Sequence, residues 1–229
     1  MNRASESFAP LRSVALTSIA FWLTSAAQAQ APAPAAAWQQ VLDFDVNLDK
    51  RPIGTHRFIV SRHADGATRI QSDARFDVRF LGIAAYRYRH QATEQWQGDC
   101  LSAIDATTQD NGRNLHVSGL QRDGRFQLQQ PAATAMPACL SAYAYWNRDL
   151  LLRQRALLNP QTGKLDALRV ESLGQETLEL RGRAMIAERY RLHAAQNVIE
   201  LWYSPRGDWL RLESTTGSRR LVYRLREAP

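Results

Sequence analysis

Between residues 75 and 98 the chain reads RFDVRFLGIAAYRYRHQATEQWQG, and its side chains alternate. The even positions carry Phe76, Val78, Phe80, Gly82, Ala84, Tyr86, Tyr88, His90, Ala92, Glu94 and Trp96; the odd ones include Asp77, Arg79, Arg87, Arg89, Gln91, Thr93 and Gln95. Period two marks a strand with one covered face and one wet face. A helix would set Phe76 and Val78 about 200° apart and waste the pattern. Fully extended, the stretch would reach roughly 70 Å, too long for one flat strand. A bend or bulge is therefore expected at Leu81-Gly82-Ile83, with the aromatic face continuous across it.

The flanking sequence repeats the strand signature in shorter units. Leu42, Phe44, Val46 and Leu48 alternate with Asp43, Asp45, Asn47 and Asp49, and Arg51-Pro52-Ile53-Gly54 reads as the turn that ends this strand. A second strand is expected over residues 55–63, then a tight turn at Asp65-Gly66. Asn111-Gly112 and Asp123-Gly124 are two further hairpin signals. The pattern breaks at PAATAMPACLSAYAYW, residues 131–146. A short helix to about residue 154 is expected next, with Asn147 as its N-cap and Asp149 in its first turn. The last third reads as strands over 155–158, 164–173, 176–180, 184–193, 198–203, 209–215 and 220–226, with turn residues between them. The fold class is therefore all-β: an antiparallel, strongly curved or barrel-like meander with one short helical lid segment.

The N-terminus reads differently. Arg3 and Arg12 precede an apolar run from Val14 to Leu23 and then Ala27-Gln28-Ala29, the grammar of a signal peptide cleaved near residue 29. That run is about half the ~20 residues a membrane-spanning helix needs. No later segment is apolar enough to span, and no cysteine follows the run at the cleavage site to carry a lipid; Cys100 and Cys139 come far later. Residues 30–37, QAPAPAAA, read as a linker, leaving 38–229 as one β domain in the periplasm. Cleavage would take Arg3, Arg12 and Glu6, changing the net charge from +7 to +6. The surplus is almost all arginine, much of it on alternating outward positions. There is no Lys/Arg run longer than two and no nucleic-acid module, so nucleic acid is not an expected partner.

Two cysteines, Cys100 and Cys139, make up the chain's whole complement. In an oxidising compartment the simplest reading is one disulfide, tying the irregular segment back beside Trp96 as a lid. A redox-active pair would lack the C-x-x-C spacing.

No nucleophile elbow, dinucleotide fingerprint or phosphate loop is present. Five histidines, at 56, 63, 90, 116 and 193, show no metal-ligand spacing, so neither a metal nor a cofactor is expected. His56 and His63 differ by seven and face opposite sides of one strand. His90 and Glu94 share the aromatic face but lie about 13 Å apart along it, too far to bond directly. Glu188, between Ile186 and Tyr190, reads as half of a structural ion pair with an arginine.

At FDVRFLGIAAYRYRHQATEQWQGDCL, followed by Thr108 to Gly112, AYWN at 144–147, LLNPQTGKL at 157–165 and LWYSPRGDWLRLES at 201–214, the chain resembles a family of exported Gram-negative proteins defined only as a domain of unknown function. The last motif also resembles a broader group of periplasmic proteins of unknown function with curled antiparallel sheets. This resemblance implies fold and compartment, and brings no catalytic residue with it.

Three functional readings follow. The leading one is a non-enzymatic periplasmic carrier for an apolar or lipid-like molecule, lined by Phe80, Tyr86, Tyr88, His90, Glu94, Trp96 and Trp146. The second is a small hydrolase or isomerase using His90 and Glu94 with a tyrosine as acid and base. The third is an interaction module that docks an envelope protein along an exposed sheet edge.

Overall fold

Antiparallel neighbours joined by very short turns account for most of the architecture. The computed structural model describes residues 37–80 and 83–226, without the side chains of Phe80, Ile83, Ala84, Thr134, Ala135 and Thr216. The strands in chain order are β1 (Trp38–Leu48), β2 (Arg51–Arg62), β3 (Ala67–Phe80), β4 (Ile83–Gln97), β5 (Cys100–Asp110), β6 (Arg113–Arg122), β7 (Arg125–Gln130) and β8 (Thr134–Ala135). After the helix α1 (Arg148–Arg153) come β9 (Ala156–Leu158), β10 (Leu165–Leu180), β11 (Arg183–Ala194), β12 (Asn197–Tyr203), β13 (Trp209–Thr216) and β14 (Arg219–Leu225). Asn111-Gly112 joins β5 to β6 and Asp123-Gly124 joins β6 to β7, all four residues at positive φ. That is the backbone twist a two-residue hairpin turn requires.

The strands form one sheet in the order β8-β7-β6-β5-β4-β3-β2-β1-β14-β13-β12-β11-β10-β9. Two meanders are thus joined where the first and last strands pair, Phe44 opposite Leu225 and Leu48 opposite Leu221. Laid flat, β5 and β9 would lie ten strand spacings apart, about 48 Å. Yet the Leu101 N–H of β5 donates to Leu140 O at 2.9 Å, and the Leu158 N–H of β9 donates to Ser141 O at 2.8 Å. Adjacent residues cannot reach strands that far apart, so the sheet is rolled, and the segment that carries them, residues 136–147, is a strap that spans the gap. Cys139, next to Leu140, is bonded to Cys100, next to Leu101.

The rolled interior is filled by side chains of both meanders. The Phe44 ring lies 4.3 Å from Trp209, 6.2 Å from Phe58 and 6.0 Å from Tyr223, joining β1, β2, β13 and β14. The strap adds Tyr145, 5.4 Å from Trp209, and Trp146, 5.8 Å from Trp96. Asn147 caps α1 by accepting from the Leu150 N–H, with Leu150 and Leu151 buried beneath. Arg148, at the helix start, donates to Glu188 at 2.8 Å, which gives that inner-parity carboxylate its cation.

Three expectations are corrected. The stretch 75–98 is not one bent strand but the end of β3 and the whole of β4, paired antiparallel with Phe80 opposite Ile83; Leu81 and Gly82 lie outside the described residues. The aromatic face survives because partners across this pair share a side and a parity: Phe76 opposes Tyr88 and Ala74 opposes His90. The first turn falls at Asp49-Lys50, both at positive φ, so Pro52 and Gly54 are inside β2. Gly54 is needed there because a Cβ would collide with the Arg75 carbonyl of β3. Residues 164–173 and 176–180 form one strand, β10, interrupted only by a bulge between Ser172 and Gly174.

Candidate ligand cavity

The inner face does not close completely. Between β2, β3 and β4 on one side and β12, β13 and β14 on the other lies a cavity of about 230 Å³, with the strap along it. Its floor on β3 and β4 is built from small side chains, Ser72, Ala74 and Ala92, which leave space that larger residues would fill. Around them stand His56, Phe58, Tyr88, His90, Glu94, Tyr143, Tyr145, Trp146 and Tyr223; the exposed Gln161, in a turn, and Asn197, at the start of β12, contribute to the rim.

Several polar groups in this wall are held by neighbouring side chains. His56 stacks on Phe58 at 4.0 Å, its Nε2 sits 2.7 Å from Ser72 Oγ, and its Nδ1 lies 3.4 Å from the Tyr223 hydroxyl. Burial, reinforced by the facing charge of His90, pushes its pKa down to about 3. His90 Nδ1 lies 2.8 Å from Thr108 Oγ1 on β5, and burial pushes its pKa down to about 4. Both imidazoles are therefore neutral near pH 7. Glu94 is buried, and desolvation raises its pKa to about 7 against the opposing pull of the Trp96 indole N–H, which donates to Oε2 at 2.9 Å. Burial also raises the Tyr145 and Tyr223 hydroxyls, keeping them protonated. Tyr143 donates to Asp166 Oδ2 at 2.6 Å, which fixes the strap to the start of β10. The Trp146 Nε1 is buried with no hydrogen-bond partner among the described residues.

Of the lining residues expected from sequence, Tyr88, His90, Glu94 and Trp146 come together here. Trp96 does not line the space: at 1% exposure it is packed behind the wall, holding Glu94 and meeting Trp146 edge-on. Tyr86 does not either; it is 36% exposed near the β3–β4 turn and donates to Asp110 at 2.7 Å. Both share the inward parity, but parity fixes a face and not how far along it a cavity runs. The Phe80 side chain is outside the described residues. Sequence reasoning missed His56 and Tyr223. A signal for His56 existed in its parity with Phe58 and Val60, but only the pairing of β1 with β14 brings Tyr223 beside it.

Among the described residues no cluster of three or more His, Cys, Asp or Glu side chains could hold a metal ion, and no helix is long and apolar enough to cross a membrane.

The sequence of residues 44–226 matches the family described as Domain of unknown function (DUF6134). The chain belongs to this family. The cavity wall from His56 to Tyr223 falls wholly within the matched segment. No curated protein matches the chain. Among solved structures, a beta-barrel-like protein of domain of unknown function DUF1849 from Brucella abortus superposes with a TM-score of 0.62. It is 11% identical, and the alignment covers 84% of this chain and 96% of that one. At that identity the likeness concerns the rolled sheet alone.

Proposed function

We propose that the protein is exported to the periplasm and works there as a non-enzymatic carrier, holding a small, largely apolar molecule in the cavity between the rolled sheet and the strap. The observation that carries this reading is a persistent space of about 230 Å³ walled by aromatic rings and neutral polar groups. Ligand sites have this character: apolar walls with a few placed polar atoms. A space of this size takes one compact molecule or the end of an apolar chain. The signal-like first 29 residues and a disulfide, which persists in oxidising compartments, support export.

The acid–base reading draws on one specific observation, that Glu94 near pH 7 shares the cavity with neutral His90. Against it, burial holds the His90 imidazole down to about 4, which makes it a weak base near neutral pH. The carrier reading is preferred for that reason. Native mass spectrometry of protein purified from its own envelope tests it. A stoichiometric small-molecule adduct, absent from an Ala92→Phe variant that fills the floor, is expected. Bare protein, or an adduct indifferent to Ala92→Phe, would count against it.

A further inference from the structure

Among the buried and half-buried glutamates Glu94, Glu188, Glu200 and Glu213, Glu94 is the exception. Glu213, 7% exposed, receives the guanidinium groups of Arg211 and Arg220. Glu200 receives Arg189 and Arg191, and Glu188 receives Arg148. Glu94 is equally buried at 9% exposure, yet among the described residues no arginine, lysine or histidine pairs with it; its one bond is from the neutral Trp96 indole. A chain with a net charge of +7 has arginines to spare, and none lines the cavity. A buried carboxylate without a cation is costly, and such a group in a binding cavity points to a cation supplied from outside.

The surroundings fit that cation. His90 lies four residues before Glu94 on the same face of β4, with Ala92 between them leaving room. Its Nδ1 engages Thr108, and the imidazole, uncharged near pH 7, lines the space. Tyr88, Tyr143, Tyr145, Trp146 and Phe58 supply ring faces, whose negative quadrupole attracts organic ammonium groups and offers nothing to an anion.

Resting on the carrier reading, we propose that the cavity selects a small organic amine, bound as its ammonium ion against the Glu94 carboxylate with its apolar body among the rings. The raised pKa of Glu94 is what an empty amine site of this kind has: the carboxyl keeps its own proton until an ammonium replaces it. The titratable groups that face this site are His56 on β2, Tyr88 and His90 on β4, Tyr143 and Tyr145 on the strap, and Tyr223 on β14. All of them are neutral near pH 7, so Glu94 alone sets the sign of the charge.

The test compares three probes of one shape, benzylamine, benzyl alcohol and benzoate, by isothermal titration of the full chain at pH 7.5. Benzylamine is expected to bind at least tenfold more tightly than benzyl alcohol, with benzoate weakest. In folded Glu94→Gln, benzylamine affinity should fall at least tenfold. Equal affinity for benzylamine and benzyl alcohol would overturn amine selection while leaving the carrier reading intact, because that reading is decided separately by the native adduct. Failure of all three probes to bind, or a Glu94→Gln variant that holds benzylamine as well as the wild type, would also overturn it. The wild-type comparison stands by itself should Glu94→Gln not fold.

Discussion

Removing the disulfide should loosen the strap that spans the rolled sheet, and its size can be worked from the chain. Cys100 and Cys139 are 39 residues apart. In the chain-entropy account, opening a loop of that length removes about 4 kcal/mol of stability. For a domain of this size each kcal/mol moves the melting temperature by about 2–4 °C, so Cys100→Ser with Cys139→Ser should melt about 8–16 °C lower, by circular dichroism. A local signature should accompany it. The Leu101 and Leu158 amides donate to Leu140 and Ser141 on the strap, and their hydrogen exchange should accelerate more than that of the β1–β14 pair, whose backbone bonds run between those two strands. A melting point within about 3 °C of wild type, with Leu101 and Leu158 still protected, would refute the view that this bond secures the strap.

Two other outcomes follow from the same geometry. Glu94 has a folded pKa of about 7 against an ordinary 4.5, so the folded chain holds that proton more tightly than the unfolded one. Its stabilising contribution is complete below pH 4.5 and lost as pH rises through 7; relative to Glu94→Gln the wild type should lose about 3 kcal/mol between pH 4.5 and 8 in urea titrations. His56 and His90 act with the opposite sign, their contribution complete above pH 6.5 and falling as pH drops toward 4 and 3, and they act equally in both proteins; parallel pH profiles of the two would contradict the assignment to Glu94. Gly54→Ala should cost at least ~2 kcal/mol because its methyl meets the Arg75 carbonyl, whereas Gly112→Ala, with open space around it, should cost about 1 kcal/mol; equal losses in denaturant titrations would show that the close approach of β2 to β3 is not tight.

Much of the fold was legible because its determinants are local. Alternation marked the strands, Asn111-Gly112 and Asp123-Gly124 marked turns by residues that tolerate positive φ, and Asn147 marked the helix start. The errors share one cause. Gly54 and Gly174 were read as turn and break, but one serves a close approach across the sheet and the other a bulge, and neither purpose is visible along a single strand. Asp49-Lys50 turns the chain without a glycine, and the reversal between Phe80 and Ile83 carries no polar turn pair. Antiparallel pairing preserved the parity of Phe76, Tyr88 and His90 through that missed reversal, which is why the inward face was still identified. Which inward residues border space was not legible. Trp96 and Glu94 are two positions apart on one face, yet one is packed solid and the other meets the cavity, because Trp146 arrives from the strap, 50 residues later in the chain.

The central claim is that this interior contains a usable ligand site, and methyl-resolved NMR during titration with benzyl alcohol addresses it most directly. Saturable shifts confined to the methyls of Ala74, Ala92, Ile70, Ile199, Leu212 and Leu221, which line the space, are the predicted result. Shifts that drift without saturation, or that map to the outer faces of β5 and β6 instead, would contradict it.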